Sequence, residues 1–334
     1  MSEIRRRRLA LGGALLAAAT ALTACAPEPA PEMTTPPPPE FAPPAVTEER
    51  AQEILAQVEE QIAAADTSGD VEQMRGRVTS PAIDFRQTQY ALQTATGGAQ
   101  TPVPLATDSD IFVVTATDTW PRSILAVSDV VEGSPVRLYL GLVQDAPRDP
   151  YRLVAWSRLL PGVQTPTFAT AEIGSAPIAD DQSELRVTPT DALAQLADVI
   201  ANPGSEFAAG FGEDPFRLAI NAEADGLRQA IGELGEVGSE AVAGEPVFAI
   251  ATADGGALVM GVVEQAYTLR KTVPDATVTL SPEWSAFVGD EPLDAAARAT
   301  YRQMVTLSIP PADADTPIQV LGAERVLASV ERVE

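Results

Sequence analysis

The chain has 334 residues, with 22 basic against 47 acidic side chains, a formal charge of −25, one cysteine and no histidine. Such a charge repels nucleic acid and anionic headgroups, so neither is expected as a partner. Without histidine there is no Ser-His-Asp or Cys-His nucleophile pair, no HExxH metal site and no imidazole acid–base catalysis.

The chain opens with Arg5-Arg6-Arg7-Arg8, an apolar run from Leu9, and the small-residue site Leu22-Thr23-Ala24 before Cys25. A basic head, a short apolar core and a small-residue ending are the parts of an export signal. Leu9 to Ala24 is 16 residues, short of the roughly 20 that a membrane-spanning helix needs. Leu22, Thr23, Ala24 and Cys25 resemble the lipobox of bacterial lipoproteins. That resemblance implies removal of residues 1–24 and a diacylglyceryl thioether on Cys25, which would hold the protein at the outer face of the plasma membrane. An uncleaved anchor helix and an ordinary signal cut after Ala24 are the competing readings. The lipobox is preferred because the only cysteine stands where the motif needs it. Arg7-Arg8-Leu9-Ala10-Leu11 also resembles a twin-arginine signal, leaving the export route open. With no second cysteine, no intramolecular disulfide can form and core burial must hold the fold.

Residues 25–46 then form a linker, with nine prolines between Ala26 and Val46. Such a segment buries no core; it is expected to lack a fixed fold and to extend as polyproline II, lifting the folded part of the chain off the membrane.

From residue 47 the pattern predicts two successive modules. Thr47 caps a first helix whose Ala51, Ile54, Leu55, Val58 and Ile62 form one apolar stripe. Ser80-Pro81 starts a second helix. Strands are predicted over 111–117, 124–131, 136–144, 151–160 and 167–173, completing a module over residues 47–174. Residues 175–187 read as a connection. The second module, 188–334, begins again with the cap Thr188-Pro189 and a helix carrying Leu193, Leu196 and Ile200, and Asp214-Pro215 opens another. Strands are predicted next over 247–252 and 257–269 around the hairpin signal Asp254-Gly255, then over 276–280, 301–309 and 318–330, with a short helix between Leu293 and Thr300.

This order, two helices and then an antiparallel sheet, occurring twice, resembles tandem NTF2-like or cystatin-like α+β folds. The stretch Thr252 to Val259, together with the single lysine, Lys271, and abundant alanine and proline, resembles actinobacterial lipoproteins of unassigned function. The expected address is therefore an actinobacterial type of cell envelope.

Chemistry is sparse. Thr268-Leu269-Arg270-Lys271 has nucleophile-xx-Lys spacing, but at a strand end and with threonine for serine, so a solvated strand end is preferred. Asp66 to Glu72 suggests calcium, yet the sixth position is Val71 and the twelfth Arg77, and the EF-hand pattern fails. Asp180-Asp181 and Asp313-Ala314-Asp315 read as surface loops. No phosphate-binding glycine loop is present, and no cofactor or metal is implied. Trp156 reads as core, whereas Trp120 and Trp284, beside prolines or turns, are the candidates for a ligand or partner contact. The expectation is a lipid-anchored binding or scaffolding protein without catalytic activity, meeting an envelope protein or a small molecule. The alternatives are a small-molecule or lipid-binding module with a cavity between sheet and helices, and a hydrolase using paired carboxylates.

Overall fold

A computed structural model describes residues 42–109, 111–130, 136–179 and 184–333. The signal, the lipobox with Cys25, most of the proline linker and Asp180-Asp181 lie outside the described residues.

Three of the predicted helix starts, those of α1, α3 and α4, come from local capping. Helix α1 (Glu48–Ser68) begins where the Thr47 side chain accepts a hydrogen bond from the Arg50 amide, and it buries the expected stripe, extended to Ala65. Helix α2 (Ala82–Ala95) follows Pro81 without a side-chain cap. Thr188 caps α3 (Pro189–Ala201) through the Asp191 amide, and Asp214 caps α4 (Pro215–Ile231) through the Arg217 amide. Each has proline in the first turn, where a missing N–H costs no intrahelical bond. Helix α5 (Pro282–Val288), capped by Ser281, was not expected from the sequence.

Nine strands are described: β1 (Ile111–Val114), β2 (Arg122–Val127), β3 (Leu138–Gln144), β4 (Arg152–Leu159), β5 (Gly235–Ala243), β6 (Phe248–Ala251), β7 (Ala257–Lys271), β8 (Ala296–Ile309) and β9 (Gln319–Val333). They form one antiparallel sheet in the order β1-β2-β3-β4-β9-β8-β7-β5, with β6 also paired to β7. The two-module expectation is thereby corrected. The protein is α+β, but its halves share one sheet and are not two helix-helix-sheet units of NTF2-like or cystatin-like type.

The junction is the pairing of β4 with β9, where Arg158 faces Ala323 and Leu159 faces Gly322. A Cβ at Gly322 would lie 2.4 Å from Ser157 Oγ and 3.0 Å from the Arg158 carbonyl oxygen, so only glycine lets the two strands close. Around it Arg158 Nε lies 2.7 Å from Glu324 Oε2, and the Ser157 and Thr306 hydroxyls are 2.6 Å apart. Beyond this junction the sheet folds over, bringing β2, β3 and β4 against β6, β7 and β8. Gly141 of β3 makes the close approach: a Cβ there would meet Met260 Sδ at 2.9 Å and the Phe248 ring at 3.0 Å.

The central strands are consequently buried on both faces. Along β7, Leu258 and Met260 enter the core shared with β1–β4, α1 and α2, while Val259 and Val263 enter a second core under α3. Alternating side chains thus serve different cores, as strand geometry requires.

Two expected strands do not form. Residues 167–173 run irregularly, with the Ala253 amide donating to the Thr167 carbonyl, and residues 276–280 are unpaired in the sheet. The helix expected between Leu293 and Thr300 is instead the start of β8. Its Ala296, Ala297 and Ala299 are buried, and Ala299 lies opposite Tyr267. Small side chains fit there against a large neighbour, and packing overrides alanine's helical preference. Strand β5 was not expected, because Gly, Glu and Ala are weak strand formers.

Candidate functional site

A cleft of about 560 Å³ opens where the folded-over sheet leaves the end of β2 and β3 beside β6 and the start of α3. Trp120, Val143, Ile178, Pro246 and Phe248 are among the side chains that line it. Its charged lining residues are two carboxylates, Asp145 and Glu245, both exposed, and no arginine or lysine lines it. The Thr190 hydroxyl donates to Glu245 Oε2 at 3.2 Å, tying the acid to the first turn of α3.

Trp120 is held by neighbours on its own edge of the sheet. The Arg122 guanidinium carbon stands 4.3 Å from its ring centroid, and the indole Nε1 donates to Gln144 Oε1 at 3.4 Å. The preceding turn is pinned by the Thr119 amide donating to Thr117 Oγ1 at 3.1 Å. The ring is thus a fixed wall, half-buried, with one face covered by a cation. Phe248 and Val143 form the buried side of the cleft.

The other sequence candidates are placed differently. Trp284, expected at an exposed contact, is 3% exposed, and its indole donates to the Tyr301 hydroxyl at 3.0 Å. It does edge a second cavity, beside Leu227 and Leu280. Trp156 is core, edge-on to Phe85. Thr268 Oγ1 accepts from Arg298, and Lys271 Nζ donates to the Ala276 carbonyl, so the two are not brought together as nucleophile and base. Asp313 and Asp315 are exposed, and no group of three potential metal-ligating acidic or cysteine side chains occurs among the described residues.

Asp66 has a role the sequence did not suggest. Arg86, 1% exposed, reaches both Asp66 carboxylate oxygens, and its Nη1 donates to Gln89 and to the Val103 carbonyl. The Tyr90 hydroxyl donates to the same carboxylate at 2.5 Å. Burial, then the neighbouring carboxylate, push the Tyr90 hydroxyl well above the usual phenol range. Asp66 is the counter-ion of a buried arginine.

Carboxylates do gather elsewhere. Glu223 pairs with Arg325 at 2.8 Å, and the Arg325 guanidinium carbon lies 3.6 Å from the Tyr301 ring centroid. Partial burial, then the charge of Glu223, raise the carboxyl of nearby Glu283 above the ordinary glutamate value. Neither glutamate lines the Trp120 cleft. Glu324, also raised by burial, is engaged by Arg158 at the β4–β9 junction.

The chain belongs to the family described as a domain of unknown function (DUF8094), whose family model matches residues 42–330. No curated protein matches the chain, and no solved structure does.

Proposed function

We propose that the protein is a non-catalytic binding protein, tethered to the outer face of the plasma membrane through a lipidated Cys25, whose recognition site is the Trp120 cleft. The observation that carries this reading is the lining of that cleft: an apolar wall of fixed aromatic and aliphatic side chains whose charged groups are carboxylates alone. Its volume lies within the roughly 300–1,000 Å³ of small-molecule sites. Such a lining favours an apolar ligand or peptide side chain carrying a positive charge, desolvating the chain against Trp120 and Phe248 while the cation meets Asp145 or Glu245. Tethering would confine the cleft near the membrane and raise its effective concentration for an envelope partner.

Titration with octyltrimethylammonium and with octyl sulfate, followed by calorimetry, tests the reading. The cationic probe is expected to bind, the anionic one not, and Trp120→Ala to weaken binding by about tenfold, the equivalent of ~1.4 kcal/mol. Equal binding of both probes, or none of either, overturns it. Membrane fractionation of the Cys25→Ala chain reads the tether independently, with release into the soluble fraction expected.

A further inference from the structure

The cavity that Trp284 edges, of about 350 Å³, differs in kind from the Trp120 cleft. Its wall comes from separate elements: Leu227 and Ile231 of α4, Leu269 near the end of β7, Leu280, and Trp284 of α5. No carboxylate, guanidinium or ammonium group lines it, in a chain with 22 basic and 47 acidic residues. Nor does the wall call for a polar ligand. The Trp284 indole donates to the Tyr301 hydroxyl, and Ser281 Oγ accepts from the Trp284 amide at 3.3 Å. The Val278 carbonyl accepts from the Leu293 amide at 2.7 Å.

The surface beside the cavity is the second observation. Leu234, which lines it, is 39% exposed, and Val273 is 40% exposed. The Val273 amide donates to the Leu234 carbonyl at 3.3 Å, so the two residues stand together. Apolar side chains scattered singly on a surface are ordinary. A leucine and a valine side by side at the edge of an apolar cavity carry its surface outward into water. Thr277, Thr279 and Ser281 also line the cavity and are exposed, so hydroxyls border the apolar interior.

We propose that this cavity binds the alkyl chain of a neutral amphiphile, such as a long-chain alcohol or a monoacylglycerol. The chain leaves water against Leu227, Leu269 and Trp284, while a hydroxyl head group meets Thr277, Thr279 and Ser281. The volume lies within the roughly 300–1,000 Å³ of small-molecule sites. A concave space of that size takes a slender chain, whereas a partner's helix is about 10–12 Å across with its side chains. The formal charge of −25 disfavours a carboxylate or phosphate head. The cavity shares no lining residue with the Trp120 cleft and needs no cationic group, so it stands or falls separately.

Quenching of tryptophan fluorescence by bromoundecanol, measured on the full chain, is the test, because bromine quenches an indole only at close range. Saturable quenching is expected in the parent and in Trp120→Phe, and its loss in Trp284→Phe. Leu234→Glu puts a charge at the cavity edge and Ala230→Phe puts a ring into its lining, and each should weaken the probe about tenfold. Both positions are exposed, so their thermal midpoints should stay near the parent's. These two variants keep Trp284 and read the same site should Trp284→Phe fail to fold. Absence of quenching, quenching that survives Trp284→Phe, or undiminished affinity in both cavity variants overturns the proposal. Tighter binding of bromoundecanoate than of the alcohol overturns it as well, since the head group would then be an anion.

Discussion

Asp66 shows how one carboxylate decides the cost of a buried charge. Arg86 is held away from water by α2, and Asp66 at the end of α1 neutralises it while also accepting from Tyr90. Removing one partner of such a pair leaves the other charge uncompensated, which costs far more than the intact pair contributes. Asp66→Ala should therefore destabilise the protein by ~3 kcal/mol in urea unfolding. Adding Arg86→Met should recover part of that loss, since the stranded charge is then gone. A cost for Asp66→Ala like that of an exposed surface pair, under about 1 kcal/mol, would show that Arg86 is satisfied by Gln89 and Val103 alone. The sequence offered Asp66 only as a failed calcium ligand, because its partner stands 20 positions away on another helix. Trp120 was singled out from its place beside a proline, and the structure puts it on the wall of a cleft. Trp284 carried the same local signal and proved buried, because its surroundings are set by Tyr301 of β8 and not by the adjacent turn.

Among the elements, β9 has the most consequences. It runs the length of β8 and also receives the end of β4, so a single strand joins the two halves. Gly322 is the condition for that joint, since a side chain would collide with Ser157 and the Arg158 backbone. Gly322→Val should cost ~1–3 kcal/mol through overpacking, read as a lower urea midpoint. Hydrogen exchange should rise at the Leu160 amide, which donates to the Leu321 carbonyl at 2.9 Å. Unchanged exchange there would show that the strands part and re-pack without loss. Helices α1, α3 and α4 were readable because caps and apolar stripes are local. Strand β5 and the first turn of β8 were not, because their Gly- and Ala-rich sequences gain strand character only from neighbours already in the sheet.

At the scale of the molecule, the chain from Phe41 to Glu334 is one compact unit. Residues 42–179 would, if separated, lose β9 at one edge and the cover of β6, β7 and β8 over Gly141 and its row. That fragment is expected to show no cooperative thermal transition, whereas the full chain unfolds in a single one. A fragment melting cooperatively near the full-chain midpoint would restore the picture of independent modules. By itself the sequence determined the starts of α1, α3 and α4, most strand positions, the hairpin at Asp254-Gly255, the exclusion of histidine chemistry and the candidacy of Trp120. All of these come from composition or from residues a few positions apart. Only the tertiary structure decided that the strands form one folded-over sheet and that Trp120 lines one cleft with Asp145, Glu245 and Phe248. The β4–β9 junction and the cleft lining depend on contacts between residues more than a hundred positions apart, and chain-local propensity carries no record of them.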